Sequence, residues 1–165
     1  MMLKLFKPAK ITSMFAAACA LSLTLASGVY ADTSLESANK EPRALTAPPP
    51  VEMNINAANS STMYITSIGA SLQRYGSIQF QLNGSTSSST VVDSIGVNFI
   101  LQRWTGSAWV DSGTSSGQSN NAAFYNDNRI FSATTGYYYR GKTIHWVRKG
   151  TFYEETLNYT ETILR

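Results

Sequence analysis

Hydrophobic and polar residues alternate along several short segments in the C-terminal two-thirds of the chain. The clearest are residues 78–83, where Ile, Phe and Leu alternate with Gln and Asn, and residues 95–102, where Ile, Val, Phe and Leu recur at every second position. Residues 137–147 form a longer aromatic and β-branched segment. A period of two is typical of half-buried β-strands, and no segment sustains the period of 3.6 that an amphipathic helix needs. The pattern therefore predicts an all-β protein.

Turn residues divide this region into about seven predicted strands. Gly, Ser, Asn and Thr separate the segments, and we expect a hairpin connection at residues 105–108, a loop at 113–117, a turn at 126–128 and another turn at 149–150. About seven short antiparallel strands with such turns favour an immunoglobulin-like β-sandwich over residues 62–165, with a small barrel as the alternative.

Residues 1–31 have the order of a secretory signal peptide. A lysine-bearing start without acidic residues precedes an apolar stretch over residues 14–25, and small residues then lead to an expected cut after Ala31. The apolar stretch is shorter than the roughly 20 residues that span a bilayer. Cys19 lies within this stretch rather than at its end, which disfavours lipidation. We therefore expect a secreted protein that meets the membrane only through this peptide during export.

The segment between the signal peptide and the strands is polar. Residues 32–61 carry prolines and small polar residues without a sustained apolar period, which predicts a disordered or extended linker. Cleavage of the signal peptide also removes the net charge of +3, because three lysines in that peptide account for it. The mature chain is neutral and contains no cysteine. Since His145 is also its single histidine, we expect no disulfide framework, no metal and no cofactor.

Three patterns resemble catalytic motifs, and each fails on physical grounds. The segment around Ser115 matches the G-x-S-x-G elbow, with Asp127 and His145 following in triad order, but that elbow needs a strand-to-helix turn. The histidine lies in a predicted strand, with no partner placed by its spacing. Glu154 and Glu155 are adjacent, so in a strand they point to opposite faces and cannot flank one glycosidic bond. The sequence thus predicts a protein without enzymatic activity.

Aromatic and basic residues cluster in residues 137–149, and two further tryptophans lie earlier, at positions 104 and 109. Exposed aromatic rings stack on sugars or are buried at protein interfaces, and each ring has core packing as its alternative role. Such clusters also suit single-stranded nucleic acid, which export and the neutral mature chain disfavour. Gly136-Tyr137 at the start of the segment suggests a structural tyrosine corner. The candidate ligand-binding residues are Trp104, Trp109, Tyr138, Arg140, Lys142, Trp146 and Arg148.

Several short motifs stand in a recognisable order along the chain. They are Ile68-Gly69-Ala70-Ser71-Leu72, Ile95-Gly96-Val97, Leu101-Gln102-Arg103, Gly106 with Trp109, and Gly136-Tyr137-Tyr138-Tyr139-Arg140. In this order they resemble an uncharacterised domain family of small secreted bacterial proteins, mainly from Gram-positive spore formers. Gly141 departs from the valine-type strand that usually follows the Tyr-Arg pair. The resemblance implies an exported, strand-rich domain after a variable linker, and it implies no catalytic residue.

These features favour a non-enzymatic binding or adhesion module at the cell envelope or outside the cell. Its expected partners are a wall polymer, a glycan or another extracellular protein, and we do not expect nucleic acid. The alternative is a structural or self-assembling matrix protein, because uncharged Ser, Thr and Gln faces protect sheet edges poorly. A secreted hydrolase that uses Ser115 is the third hypothesis.

Overall fold

The structure, a computed structural model, describes residues 43–51 and 62–165. The expected signal peptide with its cut after Ala31 lies outside these residues, as do residues 32–42 and 52–61 of the expected linker. Strands make up 73% of the described residues, none of which is helical. Within this part of the chain there is accordingly no helix long and apolar enough to cross a membrane.

The described part of the chain folds into six β-strands. They are β1 (Ile65–Tyr75), β2 (Gln79–Trp104), β3 (Trp109–Ser132), β4 (Tyr138–Lys149), β5 (Phe152–Tyr159) and β6 (Ile163–Leu164). All of them pair antiparallel within one sheet. β2 is the central strand, because it pairs with β1, β3 and β4, while β5 and β6 pair with β4.

β2 and β3 form one long ribbon that bends across its middle. They contain 26 and 24 residues, and their pairing slips between Ser87 and Val92. Close to this slip on the other strand, Asn121 adopts a left-handed φ of 49°, which asparagine tolerates better than most residues. Before the slip β2 pairs with β1, and after it β2 pairs with β4. The bend thus divides β2 into two halves that have different neighbours.

Small residues let the two halves of β2 approach each other face to face. A Cβ atom at Gly84, in the first half, would stand 2.7 Å from the ring of Phe99 in the second half. Thr86 spans the same gap, since its hydroxyl donates to the carbonyl of Gly96 at 3.2 Å. A larger side chain at Gly84 would therefore hold the halves apart.

The all-β antiparallel fold predicted from the sequence is confirmed, whereas the immunoglobulin-like sandwich is not. The described strands belong to one sheet that curls into a half-barrel. The prediction of about seven strands treats each half of the bent ribbon as a strand of its own. The hairpin at residues 105–108 is confirmed, with Thr105 N–H donating to the Ala108 carbonyl at 2.9 Å, as is the turn at 149–150.

Two predicted connections are wrong, because residues 113–117 and 126–128 lie inside β3. Gly113 and Gly117 face the second half of their own strand, and a Cβ at Gly113 would stand 2.7 Å from the ring of Phe131. The small residues in this segment make room for a facing strand. Glycine and serine also favour loops, so local composition does not distinguish the two cases.

Two clusters of hydrophobic side chains fill the inside of the curled sheet. The larger consists of Ile65, Leu82, Val92, Ile95, Val97, Phe99, Tyr125 and Val147, and the smaller of Phe80, Leu101, Ala133 and Tyr139. The hydroxyl of Tyr139 accepts the N–H of Thr134 at 2.8 Å. The bond back to the upstream backbone that defines a tyrosine corner is therefore made by Tyr139, whereas the sequence suggests Tyr137.

One carboxylate ties the start of β1 to β5. The backbone N–H groups of Met63, Tyr64 and Ile65 donate to the carboxylate oxygens of Glu154 at 2.7, 2.8 and 2.5 Å. Hydrogen bonds to an ionised acceptor are among the stronger ones in proteins. Glu154 thereby fixes the first strand of the sheet against the fifth.

Substituting Gly84 tests whether the fold-back of the ribbon requires a residue without a side chain. We expect Gly84→Ala to lower the free energy of unfolding by about 1–3 kcal/mol, because its Cβ would displace the ring of Phe99. Gly69→Ala is the matched control, since its Cβ would meet only the rotatable hydroxyl of Ser85 at 2.7 Å, and we expect a change below about 1 kcal/mol. Urea unfolding measures both, and equal effects would contradict the packing explanation.

Candidate functional site

β4 presents its two faces to different surroundings. Its odd-numbered residues from Tyr139 to Val147 are buried, while the even-numbered residues, apart from Arg140, are half-buried or exposed. Successive residues of a strand point to opposite sides, so the even-numbered residues share one face, which we call the outer face of β4. Of the candidates predicted from the sequence, this face carries Tyr138, Arg140, Lys142, Trp146 and Arg148.

The other two candidates, Trp104 and Trp109, flank the hairpin that joins β2 to β3. Their ring centroids are 5.4 Å apart. Trp104 is only 7% exposed, and its Nε1–H donates to the carbonyl of Ala47 at 3.1 Å. Trp104 therefore packs beneath residues 43–51, a segment that the sequence assigns to the linker, while Trp109 stays half-buried.

Arg140 is held by its neighbours on three strands. Its guanidinium lies 4.3 Å from the ring centroid of Trp109 and 4.2 Å from that of Tyr159, an arrangement in which electron-rich ring faces stabilise a cation. Its Nε–H donates to the amide oxygen of Gln102 at 2.9 Å, and that amide in turn donates to Asp111 at 2.7 Å. Because Arg140 is only 8% exposed, its main effect is to fix the aromatic rings around it.

A groove of about 360 Å³ lies beside Arg140. Residues 48–51 and 160–162 line it together with Trp109 and Tyr138, and we call it the proline groove after its three consecutive prolines. Two aromatic side chains and a proline run give this groove a largely apolar lining. It lies at the end of the outer face of β4 that begins with Tyr138.

A second groove, of about 540 Å³, surrounds Trp146, and we call it the tryptophan groove. The ring planes of Trp146 and Tyr153 are 30° apart, with centroids separated by 6.2 Å. A Cβ at Gly96, which pairs with Trp146, would stand 2.7 Å from the indole, so the indole covers the Gly96 backbone. The groove is lined by Asn98, Ser116, Gly117, Gln118, Trp146, Arg148 and Tyr153.

The polar groups of the tryptophan groove are suited to hydrogen bonding. The hydroxyl of Tyr153 donates to Glu155 at 2.7 Å. Partial burial, together with this bond and the charge of Glu155, raises the pKa of Tyr153 to about 12, so the phenol stays neutral. The amides of Asn98 and Gln118 each donate and accept, and the Arg148 guanidinium donates. Groups of this kind can form hydrogen bonds with hydroxyls and with anions.

Sequence reasoning did not select five of the seven residues that line this groove, namely Asn98, Ser116, Gly117, Gln118 and Tyr153. They meet around Trp146 because of the register of β2 with β3 and with β4, and of β4 with β5. No local pattern in the sequence specifies that register.

Ser115, Asp127 and His145 do not form a catalytic triad. Threonine hydroxyls occupy both ring nitrogens of the histidine, with Thr86 2.9 Å from Nδ1 and Thr143 2.8 Å from Nε2. The imidazole is fully buried, and this burial lowers the pKa of His145 to about 4. It is therefore a neutral core residue at pH 7.

Arg129 binds the side chains of Ser115 and Asp127, the two other members of the supposed triad, and it also protects the edge of β3. Its Nε–H donates to the Ser115 hydroxyl at 3.0 Å, its Nη1 lies 2.6 Å from Asp127, and this pairing lowers the pKa of the aspartate. The guanidinium also donates to the carbonyls of Asn128 and Ser116 at 2.7 and 2.9 Å, and Asp127 accepts the Asn128 N–H at 2.8 Å. Among the described strands β3 pairs only with β2. These side chains therefore occupy backbone groups that an incoming strand would need.

Comparisons with known proteins give no indication of a family or a function for this chain. No family model, curated protein or solved structure matches the chain. The resemblance to secreted bacterial proteins stays a prediction. Across residues 43–51 and 62–165, no three His, Cys, Asp or Glu side chains lie close enough together to hold a metal ion. The function is therefore inferred from the two grooves themselves.

Burial of His145 predicts a loss of stability in mild acid. Its pKa is about 4 in the folded chain against 6.5 in the unfolded chain, so below pH 6.5 only the unfolded chain gains the proton. The stabilisation is complete above that pH and is lost progressively as the pH falls to about 4, amounting to about 3 kcal/mol. We expect urea unfolding of His145→Gln to show a smaller fall between pH 7 and pH 4 than the parent. Equal falls in both proteins would contradict the assignment.

Removal of Arg129 is expected to expose the edge of β3. In Arg129→Ala the carbonyls of Ser116 and Asn128 lose their donors, so the free side of β3 becomes available for pairing with a second copy. We expect light scattering to give a mass that rises with protein concentration. Arg148→Ala, which removes the same charge from an exposed site, is expected to keep the mass of the parent at every concentration. If both variants behave like the parent, protection of the β3 edge against pairing with a second copy does not depend on Arg129.

Proposed function

We propose that this protein is a non-catalytic carbohydrate-binding module that acts outside the cell, with the tryptophan groove as its binding site. The observation that carries the proposal is the pair of neighbouring rings of Trp146 and Tyr153 beside amide side chains on one sheet face. Aromatic rings provide apolar area at a low cost in conformational entropy. Sugar rings have an apolar face of similar size, edged by hydroxyls.

The polar residues of the groove fit the hydroxyls of such a ligand. Asn98 and Gln118 stand on neighbouring strands, and each amide offers both a donor and an acceptor. The neutral phenol of Tyr153 provides a further oxygen acceptor. The lining is mostly polar around the two rings, and precisely placed polar groups are what fix the orientation of a ligand in a small-molecule site.

The groove is also supported rigidly. Trp146 stands on β4, which pairs with β2 on one side and with β5 on the other, and its indole rests on the backbone of Gly96. Tyr153 is positioned by its bond to Glu155. Side chains that are already fixed lose little entropy when a ligand binds, and this preorganisation favours affinity.

Three further considerations support a binding module. The predicted signal peptide would deliver the neutral, cysteine-free chain to the compartment where wall polymers and other glycans occur. The alternative of a self-assembling matrix protein needs open strand edges, and the side chains of Asp127 and Arg129 occupy part of the edge of β3. Neither of the other two residues of the supposed triad is free for catalysis, since Ser115 and His145 are hydrogen-bonded elsewhere.

Trp146→Ala tests the proposal directly. We expect the parent to bind at least one polymer in a panel of bacterial-wall and plant polysaccharides, measured by retardation in affinity gels and by calorimetry. Loss of the indole should weaken that binding about 30-fold or more, the effect of removing a central aromatic contact. Phe124→Ala, which truncates a 57% exposed ring on β3, is the matched control and should bind like the parent. No binding across the panel, or equal binding by the tryptophan variant, would refute the function.

A further inference from the structure

We propose that the ligand is a linear, negatively charged polysaccharide that runs along the outer face of β4 and occupies the tryptophan groove and the proline groove together. This inference rests on the proposed function and adds the class of carbohydrate. Its basis is the position of both grooves on one face of one strand.

The two grooves lie at opposite ends of this face. Trp146 follows Tyr138 by eight positions, an even number, so both side chains point to the same side of β4. At about 3.3 Å per residue, the two positions are roughly 26 Å apart. Trp109 adds a second ring at the Tyr138 end. A ligand that contacts the aromatic rings at both ends must therefore be an extended chain rather than a single sugar.

The surface between the two grooves is formed by the middle of the outer face of β4 and its neighbouring strands. Lys142 and Ile144 are the outer-face residues at its middle, and both are half-buried. Lys142 lies between Ile100 on β2 and Tyr159 on β5, and Ile144 lies between Asn98 on β2 and Leu157 on β5. The middle of the path therefore combines aliphatic and aromatic side chains with one amide and one cation.

The charges along the path favour an anionic chain. Arg148 is exposed in the tryptophan groove, and Lys142 follows midway. Three acids lie on this face: Glu155 accepts the hydroxyl of Tyr153 at 2.7 Å, Asp111 accepts the amide of Gln102 at 2.7 Å, and Glu161 lies at the proline groove. Positive charge is therefore concentrated between Arg148 and Lys142. Regularly spaced carboxylate or phosphate groups on a polymer would meet it there.

Calorimetry with oligomers of increasing length tests the inference. The probes are oligogalacturonates, which carry carboxylates, oligomers of N-acetylglucosamine 1-phosphate, which carry phosphates between their sugars, and neutral maltooligosaccharides. For one of the two anionic series we expect affinity to rise by about 100-fold or more once the chain reaches both grooves, because the second contact becomes intramolecular. The series that shows the rise identifies the source of the anion.

Variants separate the two ends of the path. Trp146→Ala should weaken binding at every length, whereas Trp109→Ala should abolish only the gain with length. Because Trp109 also contacts Arg140, Tyr138→Ser is a second variant of the same groove and should behave alike. Lys142→Gln should weaken the anionic oligomers about tenfold or more and leave any binding of the neutral ones unchanged.

The outcomes distinguish the inference from the function on which it rests. Binding of short oligomers that depends on Trp146 but gains nothing with length would overturn the inference and leave the proposed function intact. Equal affinity for neutral and anionic chains would overturn the anionic class. Equal affinity for single-stranded DNA of matched length would show a general polyanion site in place of a carbohydrate site. If none of the oligomers and none of the panel polysaccharides binds, both proposals fail.

Discussion

The whole arrangement depends on the close approach of the two halves of the β2–β3 ribbon. That approach needs positions without side chains at the contact, which Gly84 supplies on β2 and Gly113 and Gly117 supply on β3. Once folded over, the ribbon encloses the aliphatic core and the buried, neutral His145. The mature chain predicted from the sequence has no cysteine to crosslink it. Its stability therefore rests on this packing and on the buried hydrogen bonds within it.

The same bend determines where a ligand surface is available. Beyond the bend, β2 pairs with β4, and β5 extends the sheet on the far side. The fully buried Val97, Phe99 and Val147 point inward. The outward positions of these strands hold polar residues, a few aliphatic side chains such as Ile144, and rings such as Trp146. A glycine beneath the indole, Gly96, lets that ring lie on the sheet. The groove is thus a consequence of how the core is packed on the other side of the strands.

The sequence predicts the strands and their faces well and their partners poorly. In β4, Tyr138, Lys142 and Trp146 lie on one face and the buried Tyr139 on the other, as the period of two of the predicted strand requires. The loop expected at residues 113–117 is wrong, since its small residues face another strand far along the chain. Cross-strand register likewise brings Tyr153 to the tryptophan groove. Both the strand at residues 113–117 and the position of Tyr153 are determined by contacts between residues distant in sequence. Local composition does not predict such contacts.

The cations of the aromatic and basic cluster seen in the sequence fall into two groups, one buried and one at least partly exposed to solvent. Arg140 is buried between two rings and bonded to Gln102, so its cation holds the sheet together. Arg148 and Lys142 keep more of their exposure on the same face. Burial removes a charge from contact with ligands, while partial exposure keeps it available for them. The recognition proposed for this face therefore depends on the exposed cations and on rings fixed by the buried one, so that the mature chain predicted from the sequence, although neutral, presents a locally basic, aromatic surface.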